Sequence, residues 1–141
     1  RRKVLRTARM RFVKISQPEI EAVRKLYESV MSYACHGLFF REGLSLGADI
    51  AEMASKSGDY FESCRRILIG RGWVEDVSFG DGEVRVKDSI EASPGTGTET
   101  CHRLKGIISK IYESEQVRRL KFTEQKCVSK GDSECVFRIE G

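Results

Sequence analysis

The sequence predicts an α+β fold in which an antiparallel sheet of four to five strands packs against about four helices. In the first half of the chain, apolar residues recur at helical spacing, whereas from Trp73 they alternate with polar residues as in half-buried strands. The later strands form two pairs separated by one helix. Each pair is joined by a short glycine-containing turn, a pattern that favours an antiparallel sheet.

Length and composition bound the organisation of the chain. A chain of 141 residues, 40% apolar and 33% charged, is long enough for one domain with one core. It contains no run of about 18 apolar residues, so no membrane span is expected. The net charge of +4 is too small to indicate nucleic-acid binding by the domain itself. Because basic residues are concentrated at the start, we divide the chain into a basic segment at 1–15, a linker or strand, and a domain at 16–141.

The first helix is predicted to begin at the capping box Ser16–Glu19 and to end at Gly37, because serine caps helix starts and glycine commonly ends them. Ahead of it, Met10–Ile15 is short, apolar and β-branched enough for a strand. A second helix is predicted at 38–55.

The second helix carries small residues four apart, at Gly43, Gly47 and Ala51, which form one smooth stripe along its surface. One interpretation is that another helix packs closely against this stripe. The other is that the missing side chains leave space for a ligand. A void beside the stripe would favour ligand binding, and filled helix contacts would favour a scaffold.

The remaining elements follow from the same signals. Asp59 can cap a third helix, and Gly80–Gly82 and Gly131–Asp132 are the turns of the two strand pairs. The predicted elements are a helix at Tyr60–Ile69, strands at Trp73–Phe79 and Glu83–Ala92, a helix at Glu99–Glu113, and strands at Val117–Cys127 and Glu134–Ile139.

Five cysteines are an odd number, which fits a complete disulfide set poorly and favours metal binding in a cytoplasmic chain. The Gly131–Asp132 turn folds Cys135 back beside Cys127, three residues after Glu124. Cys101 stands near the start of a predicted helix, where the helix dipole favours a thiolate. Three thiolates and one carboxylate fill the tetrahedral positions of a structural zinc. The alternative is that the cysteines are small buried apolar residues.

The spacing of these residues is similar to that of a known family, the 4-vinyl reductase domain, over about 38–140. The residues that carry the resemblance are Cys101-His102-x-Leu104-x-Gly106 and Glu124-x-x-Cys127-x-x-x-Gly131-Asp132-x-x-Cys135-x-Phe137. The family includes archaeal predicted hydrocarbon-binding proteins. It also includes the sensory domains of bacterial sigma-54-dependent activators that detect phenols and other aromatics.

The resemblance implies the fold of TRAPP tethering subunits, which is also similar to that of haem nitric-oxide sensors. It also implies a zinc ion held by Cys101, Glu124, Cys127 and Cys135. Haem binding would need His36 or His102 as an axial ligand in an apolar pocket, and ordinary packing or surface roles are favoured for both.

Together these features predict a non-enzymatic sensor or regulatory domain that binds a small hydrocarbon or aromatic molecule, forms a homodimer and lies in the cytoplasm. The first alternative is a ligand-free scaffold or assembly domain of the tethering-subunit type. The second is an enzyme acting on a tetrapyrrole or similar substrate, for which the sequence shows no redox-cofactor motif. The candidate residues of the ligand pocket are Phe39, Phe40, Leu44, Gly47, Trp73 and Tyr112.

Overall fold

A computed structural model describes residues 10–140, so most of the basic segment predicted at 1–15 lies outside the described residues. The described chain contains four α-helices and four strands, and short 3₁₀ turns at Ser32–Ala34 and Val128–Lys130. In chain order the elements are α1 (Gln17–Met31), α2 (Cys35–Ala54), α3 (Tyr60–Gly70), β1 (Val74–Phe79), β2 (Glu83–Ser89), α4 (His102–Gln116), β3 (Lys121–Lys126) and β4 (Cys135–Glu140).

The four strands form one antiparallel sheet in the order β1-β2-β4-β3, which confirms the predicted α+β class. Strand β4 lies between β2 and β3 and pairs with both: Cys135 lies opposite Val86 of β2, and Phe137 lies opposite Glu124 of β3. A register shift follows Glu124 in β3. The topology therefore brings the β3–β4 hairpin beside the end of β2.

Helix α4 is the centre of the core. Leu104, Ile107, Ile108 and Ile111 of this helix are fully buried and belong to one apolar cluster with residues of β2, β4, α2 and α3. Complete burial of a large aliphatic side chain contributes about 1.5–3 kcal/mol, so these residues fix α4 between the sheet and α2. The start of α4 is held rigidly as a result.

Helix α1 begins at the predicted capping box. The Ser16 amide donates to Glu19 Oε1 at 2.8 Å, and the Glu19 amide donates to Ser16 Oγ at 3.3 Å. The predicted end at Gly37 is wrong, because the chain turns at Ser32, whose φ is +53°, and Gly37 lies inside α2. Burial of residues further along α2 offsets the cost of about 1 kcal/mol for glycine in a helix.

The strand predicted at Met10–Ile15 is absent, and this segment has no regular secondary structure. Within residues 10–140, β1 and β3 are the two edge strands of the sheet, and neither of them pairs with Met10–Ile15. Its side chains instead contact other parts of the protein, as in the placement of Arg71 over the Phe12 ring at 5.6 Å. No helix within the described range is long and apolar enough to cross a bilayer.

Candidate metal centre and ligand cavities

A cluster of three cysteines and one glutamate is buried between the start of α4 and the β3–β4 hairpin. One potential ligand atom from each of Cys101, Glu124, Cys127 and Cys135 lies within 4.8 Å of all the others. Their exposed fractions are 5% or less, and the Sγ atoms of Cys101 and Cys135 are 3.9 Å apart. The structure therefore brings together the four residues that the sequence predicts as a metal site.

The position of Cys101 depends on Glu91, a buried carboxylate in the turn after β2. Glu91 accepts hydrogen bonds from the amides of Leu104 at 2.9 Å and Arg103 at 3.3 Å, which are otherwise unpaired donors of the first turn of α4. Burial raises the pKa of Glu91 to about 7, although these donors and the Arg103 guanidinium oppose the shift. Sequence analysis missed this residue because it lies eleven positions before the first residue of the helix that it caps.

The other three ligand candidates are positioned by the β3–β4 hairpin. Glu124 is on the buried face of β3, and Cys127 immediately follows that strand. The connection turns back through Gly131, whose φ of +104° favours glycine, and the Cys127 amide donates to Asp132 Oδ2 at 2.9 Å. Cys135 then begins β4, so the hairpin returns its thiol to the cluster.

The cluster brings four acidic groups into close contact. Hydrogen bonds given to Cys127 and burial hold the pKa of Cys101 well above that of a free thiol. Burial raises the pKa of Glu124 to about 9. The Cys127 pKa lies far below its usual range, because the thiols of Cys101 and Cys135 both donate to it. The cluster thus favours one thiolate that is stabilised by its neighbours.

Two observations bear on whether these residues fit a metal ion. Glu124 Oε2 is buried and, among residues 10–140, has no hydrogen-bond partner, which is costly for a carboxylate unless an ion binds it. The Val128 amide donates to Cys135 Sγ at 3.5 Å, a contact that stabilises a coordinating thiolate. The four donors therefore form a buried cluster that could bind a metal ion.

The remaining cysteines and the histidines lie outside this cluster. Cys35 and Cys64 are completely buried in the packing of α2 and α3, and none of the five cysteines forms a disulfide. The His36 and His102 rings stack with centroids 3.9 Å apart, and His36 Nε2 lies 2.7 Å from Glu28 Oε2. Neither histidine contributes to the metal cluster.

The six candidate pocket residues lie in different parts of the structure. Phe40 and Leu44 line a groove of about 1150 Å³, whereas Trp73 lines a separate cavity of about 530 Å³. Phe39 is buried under the Arg103 guanidinium, 4.3 Å from its ring centroid.

The last two candidates are packed into the protein interior. A Cβ atom at Gly47 would lie 2.8 Å from the Ile107 carbonyl oxygen, so α2 and α4 are in backbone contact there. The Tyr112 hydroxyl donates to the Gly80 carbonyl at 2.6 Å, and its ring packs against Phe61. The small-residue stripe of α2 therefore contacts α4 at Gly47.

Comparison with known sequences identifies a family match in the C-terminal part of the chain. Residues 83–141 match the V4R domain, which confirms the resemblance to the 4-vinyl reductase domain there. No curated protein matches the sequence significantly.

Two solved structures share the fold. The crystal structure of the phenol-responsive sensory domain of the transcription activator PoxR with phenol is 19% identical, with a TM-score of 0.75 over 92% of this chain and 76% of that one. A vinyl-4-reductase family protein from Methanocaldococcus jannaschii is 16% identical, with a TM-score of 0.65 over 92% of this chain and 83% of that one. At these identities the comparison establishes the shared fold.

Proposed function

Because residues 83–141 match the V4R domain, we propose that this protein is a non-enzymatic sensor domain that binds a small apolar or aromatic molecule. The fold shared with the phenol-responsive sensory domain of PoxR supports the proposal. The word reductase in the name of the Methanocaldococcus jannaschii protein belongs to the family name of that protein. In this chain, the cavities described above favour binding.

The observation that carries the proposal is the cavity of about 530 Å³ beside Trp73, which we call the Trp73 cavity. Small-molecule sites measure about 300–1000 Å³ and combine an apolar lining with a few polar groups. The polar groups here are Glu42 and three arginines. The apolar lining residues are Phe12, Val13, Ile15, Ile20, Val23, Leu46, Trp73 and Ile90.

Trp73 is the only tryptophan of the chain, so its fluorescence reports directly on this cavity. We expect phenol or naphthalene to change the emission in a saturable manner. Leu46→Phe, which fills part of the cavity, should weaken binding about tenfold, the lower end of what a change of one methylene in an apolar pocket produces. Leu38→Phe, on an exposed position of the same helix, is the matched control and should bind normally.

Native mass spectrometry of the purified protein provides an independent measurement, with a retained small molecule as the expected result. The proposal is wrong if no molecule is retained and if neither compound changes Trp73 emission at millimolar concentration.

We also propose that the Cys101, Glu124, Cys127 and Cys135 cluster holds zinc. Four protein ligands leave no open coordination position, so the metal would be structural and would connect the α4 start to the β3–β4 hairpin. Atomic emission should find one zinc per chain. Cys127→Ser should lose the metal, whereas Cys64→Ser, in the core outside the cluster, should retain it.

We further propose that the protein forms a homodimer and is located in the cytoplasm. Helix α1 buries a charged residue, Arg24, while its apolar side remains exposed, with Val30 at 76% and Leu26 at 57%. We call this surface the α1 face; it consists of Val23, Leu26, Tyr27, Val30 and Met31. A second copy of the chain would cover it, because contiguous exposed apolar patches commonly mark protein interfaces. The five reduced cysteines support a cytoplasmic location.

One observation favours the second candidate, a ligand-free scaffold. The close contact of α2 and α4 at Gly43 and Gly47 is the helix packing expected of a scaffold. This contact leaves the Trp73 cavity open, because neither Gly43 nor Gly47 lines that cavity. An assembled protein with no retained molecule and no response of Trp73 would favour the scaffold.

A further inference from the structure

A second concave surface, which we call the basic groove, lies between α2, α4 and the edge strand β3. Its volume is about 1150 Å³, and it shares no lining residue with the Trp73 cavity. It is therefore a separate candidate site, and it has a different charge and size.

The groove carries a strong excess of positive charge. Only one carboxylate, Glu113, lines it, and Glu113 Oε2 accepts a hydrogen bond from the Leu120 amide at 3.1 Å. Among residues 10–140, Lys121 is the only groove cation that forms an ion pair, with Glu140 at 3.4 Å on the exposed rim. The groove cations are Arg41, Lys105, Lys110, Arg119 and Lys121. Five cations against one carboxylate in one concavity favour an anion.

Apolar side chains line the same groove between these cations. Phe40 and Leu44 are half-buried on α2, and Leu120 and Phe122 lie on the opposite side. Lys105 Nζ lies 5.5 Å from the Phe40 ring centroid, so a positive charge and an apolar surface are adjacent. A ligand that satisfies both parts must itself be amphiphilic.

His102 adds a polar group to the groove lining. Its side chain is about nine-tenths buried, and Nε2 has no hydrogen-bond partner among the described residues. A buried polar nitrogen without a partner is costly, and a polar group of a ligand could pair with it. This unpaired nitrogen is a second observation, independent of the lysine and arginine charges, that points to a ligand.

We propose that the basic groove binds an amphiphilic organic acid, in which one carboxylate is attached to an extended apolar body. The cations would bind the carboxylate, and Phe40, Leu44 and Leu120 would contact the apolar part. A single benzene ring is too small to fill this volume, and a neutral hydrocarbon would leave the cations without a counter-charge. A concave site that encloses a nearly buried imidazole fits a small ligand better than a protein or nucleic-acid surface.

Calorimetry with the full chain tests this proposal with decanoate as the probe and decan-1-ol, of the same chain length, as the neutral comparison. Decanoate should bind at least tenfold more tightly than decan-1-ol at low salt. Lys105→Gln combined with Arg119→Gln should weaken decanoate binding about tenfold, since two charge contacts of modest strength are lost. The control removes two exposed lysines outside the groove, Lys25→Gln with Lys56→Gln, and should change the affinity less than twofold.

Three outcomes would overturn the proposal: equal binding of the acid and the alcohol, equal losses in the two double variants, or groove-dependent binding of a single-stranded oligonucleotide in place of decanoate. Trp73 emission separates this site from the proposed sensor function. If Trp73 emission responds to naphthalene but decanoate does not bind, the basic groove alone is rejected. If decanoate binds but Trp73 emission responds to neither phenol nor naphthalene, the Trp73 cavity alone is rejected.

Discussion

Gly47 on α2 lies so close to α4 that a Cβ atom at position 47 would be 2.8 Å from the Ile107 carbonyl oxygen and 3.0 Å from its Cα. A carbonyl oxygen of a buried helix cannot move without disturbing its neighbours, so no side chain fits at this position. The contact determines how closely α2 approaches the core helix, and α4 in turn begins next to Cys101.

The first prediction follows from this contact. Gly47→Ala should lower the free energy of unfolding by about 1–3 kcal/mol, because the added methyl group overpacks a backbone contact. Gly37→Ala is the control in the same helix: a Cβ there has nothing within 4 Å, and alanine favours the helix by about 0.5–1 kcal/mol. Urea denaturation compares the two variants. Equal stability of Gly47→Ala and the parent chain would contradict the helix contact.

A second prediction concerns the protons of the metal cluster. Cys101, Glu124 and Cys135 hold their protons at neutral pH, with pKa values of about 9 for Glu124 and about 12 for Cys135. Zinc requires the deprotonated forms, so its binding at pH 7 should release about three protons per ion.

Titration of the metal-free protein in weak buffer with a pH indicator measures this release. Apparent affinity should rise as the pH increases from 6 to 8, and a chelator at pH 6 should remove the metal faster than at pH 8. Affinity that is independent of pH would mean that the ion binds elsewhere. Cys127→Ser provides the comparison without the intact ligand set.

A third prediction uses His102 and acid pH. Burial, with the nearby charges of His36 and Lys105, lowers the pKa of His102 to about 4, against 6.5 in an unfolded chain. The unfolded chain therefore takes up a proton that the folded protein excludes. The stability associated with neutral His102 is complete above pH 6.5 and is lost as the pH falls from 6.5 towards 4.

The loss should be about 1 kcal/mol per pH unit, and the theoretical limit for one proton is about 1.4 kcal/mol per unit. His102→Phe keeps a ring beside His36 and cannot titrate, so its unfolding free energy should fall less between pH 7 and pH 5. Denaturant titrations at both pH values measure how much the unfolding free energy of each protein changes. The contribution of Glu91 cancels when the two changes are subtracted, because both proteins contain it. Identical pH slopes would exclude this role of His102.

The fourth prediction tests the α1 face as a dimer interface. Leu26→Glu combined with Val30→Glu places two charges on this surface and should convert the dimer into a monomer. Ala22→Glu combined with Ser29→Glu adds the same charge to exposed positions of α1 outside the face and should leave the dimer intact. Sedimentation velocity at about 10 µM distinguishes the two states, and a monomeric parent chain would refute the interface.

Much of the fold could be predicted from local patterns. The capping box at Ser16, the alternation after Trp73 and the Gly131 turn each correspond to an element that the structure contains. Gly37 misled the prediction, because a glycine ends a helix only where the chain needs a left-handed residue, and Ser32 takes that role here. Met10–Ile15 has a strand-like composition but no strand beside it.

Some residues of the candidate sites could be predicted from local sequence patterns, and others could not. Cys127 and Cys135 could be paired from the turn between them, whereas the role of Glu91 depends on a contact across the fold. The exposure of the α1 face could not be predicted either. Helical periodicity shows that a helix has an apolar side but does not show whether another element covers that side. The basic groove draws cations from three elements, so no single stretch of sequence reveals it.

The strand order has a consequence for synthesis on the ribosome. Strand β4 follows β3 in the sequence but lies between β2 and β3, so the facing edges of these two strands stay unpaired until Cys135–Glu140 has left the exit tunnel. The fourth ligand candidate arrives with the same segment. A nascent chain that has left the tunnel only as far as Lys126 would therefore expose two open strand edges and an incomplete ligand set, a state that is prone to aggregation and that chaperones recognise.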